Sequence, residues 1–513
     1  MKCNRFLFIV YACIVSITAV AQKETAVIKT SAGLVSGITN TTGDIRIFKG
    51  IPFAAPPVGA LRWKAPQPVQ PWTGVKRCDT FSASPMQSPP APFSMWSAEF
   101  LIQKEPISED CLYLNVWTSA TPSHKKLPVL VWIYGGGFNS GGSNVPIYDG
   151  EAMAKKGIVF VSINYRVGIF GFFAHPDLTK ESPYHASGNY GIMDQVAALQ
   201  WVQKNIAAFG GDPANVTIAG QSAGSMSVNC LVASPLAKGL FNKAIAESGA
   251  SFINSFGSTN LQQAEENGVK TAAALHANSI EALRKLPAEA LMKAQARGVI
   301  IDGYVLPQSI ADIFAAHKEN KVALLTGWNE NEGLMFGPVK KADDFKKQIE
   351  QQYPDDAQTA LQYYPATNDS VANVSQLALS RDIIFGLQNY TWANIASTQG
   401  NKVYVYRFTR KVPATGEYVK YGAFHTGEVP YAYNNLRFVN RPWEAVDHQL
   451  AAVMSSYWAN FVKTGDPNGN NLPEWKAYNT KDKQTMMLGV AQQSQLLPDA
   501  AQLDFLYSQM KAK

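Results

Sequence analysis

The chain carries the stretch Val216-Thr217-Ile218-Ala219-Gly220-Gln221-Ser222-Ala223-Gly224, and a helix-like segment continues it over residues 225–233. The apolar and β-branched start predicts a strand, so the Gly-x-Ser-x-Gly motif falls where a strand turns into a helix. The two glycines permit the sharp turn and close packing that a Cβ would prevent. A turn of this kind, a nucleophile elbow, presents its serine at the end of a sheet strand. The pattern predicts that Ser222 is the nucleophile of a serine hydrolase.

Near-continuous apolar segments recur along the chain and alternate with helix-like ones. The strand-like segments are 127–134, 158–163, 215–219, 243–247, 322–325 and 402–407, and the clearest helix-like ones are 191–208 and 445–463. Strands that read as continuous apolar runs are buried on both faces, which predicts an α/β fold with a large mixed, mostly parallel central sheet. Alternating segments at 26–30 and 43–48 predict antiparallel N-terminal strands. The mostly helical region 261–386 is interpreted as an insertion that caps the active site.

The N-terminus has the form of an export signal. Lys2 and Arg5 precede an apolar run, and Ala19-Val20-Ala21 resembles a signal-peptidase site. This predicts a signal peptide over residues 1–21, an exported protein (periplasmic or secreted), and one domain over residues 22–513. A lipoprotein signal ending at Cys13 is the alternative. No other segment approaches the ~20 apolar residues of a transmembrane helix, so no membrane span is predicted.

The charge and residue composition limit the kinds of partner that the protein is expected to bind. The formal charge of the 513 residues is +6, and the chain shows no Lys/Arg cluster with interleaved aromatic residues, so nucleic acid is not an expected partner. No Cys/His cluster indicates a metal site. After removal of the signal three cysteines remain, Cys78, Cys111 and Cys230, and an odd number in an exported protein predicts at least one free or intermolecularly paired thiol.

A serine hydroxyl needs a base, and in this fold class the acid and then the histidine follow the serine in the chain. Four of the seven histidines come after Ser222: His276, His317, His425 and His448. The first two lie in helical stretches, and the last lies in an amphipathic segment typical of a helix surface. His425 lies in a glycine-flanked loop beyond the 402–407 strand, where catalytic side chains are usually presented. We therefore predict His425 as the base.

The acid and the oxyanion hole are also expected at strand ends. The 322–325 strand leads into Trp328-Asn329-Glu330-Asn331-Glu332-Gly333, and the residues alone do not choose between the two glutamates. Tyr134-Gly135-Gly136-Gly137-Phe138 follows the 127–134 strand, where glycine N–H groups could approach a developing oxyanion. The N–H that follows the nucleophile belongs to Ala223.

With these motifs in place, the chain resembles the type B carboxylesterases, the carboxylesterase/cholinesterase family of α/β-hydrolases. Ser108-Glu109-Asp110-Cys111-Leu112-Tyr113-Leu114-Asn115-Val116-Trp117 is similar to the second signature of that family. Further ordered matches span nearly the whole mature chain and include residues 48–54, 164–168, 188–195, 457–461 and 464–468.

The resemblance implies an α/β-hydrolase fold with helical cap insertions and an enzyme that hydrolyses small-molecule carboxylic esters through an acyl-enzyme, without cofactor or metal. It implies Ser222 as nucleophile, Glu332 as acid and His425 as base. It also implies an oxyanion hole formed by Gly136, Gly137 and Ala223, and a supporting serine, Ser248, beside the histidine. Two pairs are implied as structural ion pairs: Arg62 with Glu109 and Arg166 with Asp194.

Three positions depart from the family pattern. The family often has Glu before the nucleophile, where this chain has Gln221, so a negative charge is missing there. The glycine loop is often preceded by His, here Tyr134. The cysteine upstream of the second signature is replaced at the aligned position by Pro85, which leaves a disulfide between the nearby Cys78 and Cys111 open.

Two other functions remain alternatives at this point: an amidase or peptidase that uses the same three residues, and a non-catalytic binding protein on this fold. Choline specificity is not supported, because Trp96 lies at a different offset from Cys111 than the family pattern requires. The sequence names neither the ester nor the oligomeric state.

Overall fold

The computed structural model of the protein describes residues 23–119, 126–253, 259–294, 298–335 and 339–511. The expected signal peptide, residues 1–21, and the alternative lipidation residue Cys13 lie outside the described residues.

Eleven described strands form one mixed sheet. In chain order β1 to β11 are Ile38–Thr39, Ile45–Pro52, Tyr113–Ser119, Leu127–Ile133, Val159–Ile163, Gly211–Gln221, Lys243–Glu247, Ala323–Asn329, Val403–Phe408, Gln484–Leu488 and Gln492–Leu496. Their order across the sheet is β11-β10-β9-β8-β7-β6-β4-β5-β3-β2-β1. The pairs from β10 through to β5 are parallel, and the other pairs are antiparallel. The expected large, mostly parallel sheet with antiparallel N-terminal strands is confirmed.

Three small sheets lie outside this one in the described residues. One has three strands, Ile28–Lys29, Leu34–Ser36 and Val75–Arg77. The other two are strand pairs, Ser84–Pro85 with Ile107–Ser108 and Thr259–Asn260 with Ile300–Ile301.

The described residues also form sixteen α-helices. In chain order α1 to α16 are Glu151–Lys155, Gly168–Phe172, Pro176–Glu181, Tyr190–Asn205, Ala223–Ala233, Leu261–Ala274, Ile280–Lys285, Ala288–Leu291, Ile310–Ala315, Ala342–Gln352, Ala357–Tyr363, Asp369–Arg381, Leu387–Thr398, Val429–Ala432, Ala445–Thr464 and Ala500–Lys511. Helices α6 to α9 lie between β7 and β8, and α10 to α13 lie between β8 and β9. The region 261–386, expected to be mostly helical, is therefore mostly helical, as two helical segments on either side of the central strand β8.

The central strands are buried on both faces. Every residue of β5 is buried, and this strand pairs in parallel register with β4, Val159 opposite Val129 and Ile163 opposite Ile133. Successive side chains of a strand point to opposite faces, so complete burial means that both faces are covered. Helix α5 is likewise buried over its whole length. The residues next to Ser222 on either side, Gln221 and Ala223, are thus buried in the core, which holds the serine in place.

Local features of the sequence set both ends of the long helix α15. Glu444 and Asp447 form a capping box at its N-terminus, each side chain accepting from the backbone N–H of the other residue. Gly465 ends the helix with φ 76°, a left-handed conformation that glycine adopts without strain.

The structure decides between the two states of the cysteines and contains both expected ion pairs. Cys78, Cys111 and Cys230 are free, buried thiols, so the structure contains no Cys78–Cys111 disulfide. The two expected ion pairs form: Arg62 Nε lies 2.7 Å from Glu109 Oε2, and Arg166 Nη2 lies 2.7 Å from Asp194 Oδ1. Within the described ranges, no helix has the length and apolar character needed to cross a membrane.

Candidate active site

Ser222 lies at the tight turn between β6 and α5. Its backbone has φ 59° and ψ −125°, a left-handed conformation that is rare for a residue with a side chain. The flanking glycines make this turn sterically feasible. A Cβ at Gly224 would lie 2.1 Å from the carbonyl oxygen of Ile133, and one at Gly220 would lie 2.4 Å from the backbone of Gly224. The strained conformation is thus imposed by close strand–helix packing, as is common at functional sites.

His425 and Glu332 come together from two different strand ends. His425 lies in the loop after β9, and Glu332 begins a 3₁₀ turn, Glu332–Met335, after β8. Glu332 Oε1 lies 2.6 Å from His425 Nδ1, and its second oxygen accepts a hydrogen bond from the backbone N–H of Asn329 at 2.9 Å. Both side chains are almost completely buried. The carboxylate thus fixes the ring by one nitrogen and leaves Nε2 for proton transfer.

Glu330, the other candidate acid, points elsewhere. Its carboxylate pairs with Arg381 at 3.1 Å and with Arg407 at 3.0 Å, and its side chain is 42% exposed. The structure therefore brings Glu332, and not Glu330, to the histidine. The three histidines set aside in the sequence, His276, His317 and His448, are exposed.

The glycine loop follows β4 and faces the elbow. Gly136 and Gly137 have φ values of 111° and 62°, and a Cβ at Gly136 would lie 2.2 Å from the carbonyl oxygen of Ser140. The N–H groups of these two glycines make no hydrogen bond to another described residue. They are available to a ligand, as an oxyanion hole requires.

Tyr134 anchors this loop where the family pattern often has histidine. Its hydroxyl donates to the carbonyl oxygen of Tyr165 at 2.8 Å and accepts from the backbone N–H of Tyr165 at 3.2 Å. The Tyr165 hydroxyl in turn donates to the carbonyl oxygen of Tyr134 at 2.9 Å, and the two rings stack at 4.4 Å. This reciprocal pair fixes the last residue before the glycines.

Ser222, His425 and the three proposed oxyanion residues line one cavity of about 920 Å³. Its walls are mostly apolar, with contributions from the loop before β3 and from the helical insertions: Trp96, Phe100, Ile300, Leu306, Ile310 and Phe385. None of the described lining residues is Asp, Glu, Lys or Arg. The arrangement is a large apolar pocket with a few polar groups at one place, the usual form of a small-molecule site.

Four residues surround the histidine, and sequence reasoning assigned none of them a place beside it. Phe385 stacks on the imidazole with ring centroids 4.5 Å apart, and Trp96 approaches it edge-on at 6.3 Å. Gln221 Nε2 lies 3.2 Å from His425 Nε2, and Thr426 Oγ1 donates to Gln221 Oε1 at 3.3 Å. Gln221 stood out in the sequence only as a departure from the family pattern before the nucleophile, and Thr426 could have been found only because it follows His425.

Two further buried acids lie behind the Glu332 carboxylate. Asn329 donates its side-chain N–H both to the carbonyl oxygen of Phe424 at 2.8 Å and to Glu428, while its backbone N–H bonds Glu332. Burial, together with the nearby negative charges of Glu247 and Glu332, raises the pKa of Glu428 well above its usual value. Burial also raises the pKa of Glu247, although its Oε1 accepts from Trp458 and Tyr433.

Ser248 is completely buried at the end of β7. Its N–H donates to the carbonyl oxygen of Gly327 at 2.9 Å, and its hydroxyl makes no hydrogen bond within the described ranges. The structure thus gives Ser248 no direct bond to His425. No group of three or more His, Cys, Asp or Glu side chains in the described residues is arranged to hold a metal ion.

Comparison with known proteins gives a consistent result. Residues 24–506 match the carboxylesterase family. The chain is 36% identical to a fumonisin B1 esterase of Sphingopyxis macrogoltabida, with 92% of this chain and 88% of that protein aligned. It is 34% identical to liver carboxylesterase 1 of Oryctolagus cuniculus, over 89% of this chain and 88% of the relative. It is 35% identical to a medium-chain fatty acyl-CoA hydrolase precursor of Anas platyrhynchos, over 93% and 91%.

Proposed function

Since the chain belongs to the carboxylesterase family of α/β-hydrolases and is a carboxylic ester hydrolase, we propose that Ser222, His425 and Glu332 carry out the hydrolysis. Ser222 is the nucleophile, His425 the general base and acid, and Glu332 the carboxylate that orients the imidazole. The observation that carries this proposal is the 2.6 Å contact between Glu332 and His425 beside the Ser222 elbow.

In the acylation step, His425 Nε2 removes the hydroxyl proton of Ser222 as Oγ attacks the ester carbonyl carbon. The proton on Nδ1 stays in the hydrogen bond with Glu332, which stabilises the imidazolium that forms. The tetrahedral intermediate collapses when the imidazolium gives its Nε2 proton to the departing alcohol oxygen. This leaves an acyl-enzyme and a free alcohol.

In the deacylation step, His425 takes a proton from water, and the hydroxide attacks the acyl carbon. Collapse of the second tetrahedral intermediate returns the proton to Ser222 Oγ and releases the carboxylic acid. The N–H groups of Gly136, Gly137 and Ala223 stabilise the oxyanion in both steps, since positive φ values at the two glycines turn their N–H groups away from ordinary backbone pairing.

The substrate is a small ester with an apolar acyl or alcohol group. Support for this comes from the cavity of about 920 Å³, whose walls carry Phe100, Leu306, Ile310 and Phe385 close to the elbow. Burial of apolar substrate area in such a pocket contributes about 25 cal/mol per Å². An ester with a longer aliphatic chain is therefore expected to bind more tightly until the pocket is filled.

The protein is exported after removal of residues 1–21, and residues 22–513 form one domain. The basic and apolar start of the chain supports export. The single eleven-stranded sheet, built from strands between Ile38 and Leu496, supports one domain.

Hydrolysis of p-nitrophenyl acetate, butyrate and octanoate by residues 22–513, beside a Ser222→Ala variant, tests the proposal. We expect turnover by the wild type, an increase in kcat/KM with chain length, and loss of about 10⁶-fold in kcat in the variant. A Ser248→Ala variant tests the supporting role of that serine separately. Because its hydroxyl does not line the cavity, the loss of kcat is expected to be far smaller than in Ser222→Ala. Full activity in Ser222→Ala would show that another residue is the nucleophile.

A further inference from the structure

A chain of hydrogen bonds leads from Trp96 to the side of His425. Trp96 Nε1 donates to Thr426 Oγ1 at 3.1 Å, and Thr426 Oγ1 donates to Gln221 Oε1 at 3.3 Å. An indole N–H can only donate, so Thr426 accepts there and has its own hydroxyl proton to give. The Gln221 carboxamide is therefore held with its oxygen toward Thr426 and its NH₂ group toward His425.

The NH₂ group lies over the face of the imidazole. Gln221 Nε2 is 3.2 Å from His425 Nε2 and 3.4 Å from Nδ1. An atom at these two distances in the ring plane would lie closer to Cε1 than van der Waals contact permits, so it must lie above the plane. Phe385 stacks on the same ring with an interplanar angle of 23°. Because the amide fills one face at van der Waals distance, the phenyl ring must lie on the other. The ring is thus held between an amide and a phenyl group, and its in-plane Nε2 lone pair stays available.

Thr426, which holds the Gln221 amide, has a strained backbone conformation. Its φ is 79°, in the left-handed region that a β-branched residue seldom adopts. Conformations of this kind persist only where the surroundings enforce them, and they cluster at functional sites. Thr426 is buried beside the cavity, and its hydroxyl is bonded on both sides.

We propose that Gln221 is a positioning residue for His425, whose neutral carboxamide packs the imidazole against Phe385 and disfavours the imidazolium. The inference rests on the proposed function of His425 as base. The positive end of the amide dipole faces the ring, whereas a carboxylate at this position would stabilise a positive imidazolium. The free enzyme therefore keeps its base unprotonated, and stays active, at lower pH than the same enzyme with Glu at position 221.

Other titratable groups lie around the same histidine. Glu332 after β8 bonds it directly, while Glu428 before α14 and Tyr406 in β9 interact electrostatically with Glu332 and with Glu247 at the end of β7. Substitutions at positions 221 and 426 leave all four in place. A change in pH dependence in the Thr426 variants therefore reports on the orientation of the amide, and one in Gln221→Glu reports on the charge at position 221.

The inference is tested by the acid limb of the pH profile, the range in which kcat/KM falls as the pH is lowered. This limb reports on protonation of the base in the free enzyme. With a neutral p-nitrophenyl ester, Gln221→Glu is expected to move the limb to higher pH by about one unit or more. Thr426→Val removes the donor that holds the amide oxygen, so the amide can turn its oxygen to the ring and the limb moves in the same direction. Thr426→Ser keeps the hydroxyl and is expected to keep the wild-type limb.

An unmoved limb in either Gln221→Glu or Thr426→Val overturns the inference, as do equal shifts in Thr426→Val and Thr426→Ser. If Gln221→Glu does not fold, as judged by circular dichroism, the two Thr426 variants decide alone. The Ser222→Ala variant separates this inference from the proposed function. Activity in Ser222→Ala refutes the proposed function, whereas an inactive Ser222→Ala with unmoved limbs in the other variants refutes only the role of Gln221.

Discussion

Glu332 Oε1 lies 2.6 Å from His425 Nδ1, although 93 positions separate the two residues in the chain. Glu332 stands three residues beyond β8, and His425 lies in the loop seventeen residues beyond β9; these neighbouring parallel strands pair from Leu324 opposite Val403 to Asn329 opposite Phe408. The carboxyl ends of parallel strands meet at one edge of a sheet, which is where open α/β sheets bind ligands. The two strand ends thus lie together. Hydrogen bonds from the Asn331 N–H to the carbonyl oxygen of Ala423 at 3.0 Å and from the Asn329 side chain to that of Phe424 at 2.8 Å hold the loop where His425 meets Glu332.

The first prediction concerns this contact. Glu332→Gln is expected to lower kcat about 10⁴-fold with little change in KM, because an amide cannot hold the imidazole in the required tautomer or stabilise the imidazolium. Glu330→Gln is the matched control, two residues away and engaged with Arg381 and Arg407. It is expected to keep the wild-type kcat. Steady-state kinetics on p-nitrophenyl butyrate check both, and equal losses in the two variants would contradict the assignment.

The second prediction concerns the glycine loop. Gly136→Ala would place a methyl group 2.2 Å from the carbonyl oxygen of Ser140, so the loop must shift and an oxyanion donor is lost. We expect kcat to fall about 10²–10³-fold. Gly137→Ala is the comparison, because the nearest atom to its added methyl group is Asn139 Nδ2 at 4.0 Å. A smaller loss is expected there, from the positive φ alone, and a larger loss than in Gly136→Ala would be evidence against this geometry.

The third prediction concerns the Tyr134–Tyr165 pair. Tyr134→Phe leaves the backbone N–H and C=O of Tyr165 without their buried partner, so the free energy of unfolding should fall by about 1–3 kcal/mol. Tyr165→Phe removes a single hydrogen bond, to the carbonyl oxygen of Tyr134, and should cost less. Urea denaturation measures both variants. The reverse order of stabilities would show that the pair does not hold the loop as described.

The fourth prediction concerns pH and stability. Burial raises the pKa of Glu247 to about 7, from an ordinary value of 4.5. The folded state keeps this proton while the unfolded chain releases it, so the stabilisation is complete below about pH 4.5 and is lost as the pH rises through 7. The loss amounts to at most about 3 kcal/mol, at 1.36 kcal/mol per pKa unit.

In Glu247→Gln this loss disappears, so the variant's melting temperature should fall less than that of the wild type between pH 5 and pH 8. The exposed Glu289 provides the control, since Glu289→Gln should follow the wild type. Parallel curves for wild type and Glu247→Gln would show that Glu247 is ionised in the folded protein throughout this range.

Much of the fold could be predicted from the sequence, because buried parallel strands leave a strong apolar signal. Residues 243–247 were expected as a strand and form β7 with the same bounds. Residues 215–219 were expected as a strand too, but β6 extends over Gly211–Gln221. The excess lies at residues 211–214 and 220–221. Pairing with β4 or β7 keeps Gly211, Gly220 and Gln221 extended, whereas the register is irregular between Gly211 and Val216.

The site was harder to predict in detail. Glu330 and Glu332 follow the same strand, and only their side-chain directions differ: one meets two arginines, the other a histidine. The contacts of Gln221 join segments that lie more than 200 positions apart, so nothing local in the sequence reveals them. Local sequence patterns thus locate the loops and turns that bear catalytic residues, whereas long-range packing decides which of their side chains come into contact.

The central claim is that Ser222 forms the covalent intermediate, and labelling with a fluorophosphonate tests it most directly. The mature protein is treated with the reagent, digested and analysed by mass spectrometry. The account predicts one modified peptide, with the added mass on Ser222, and none in the Ser222→Ala variant. A folded wild type that is not labelled, or one that carries the label on a different residue, would contradict it.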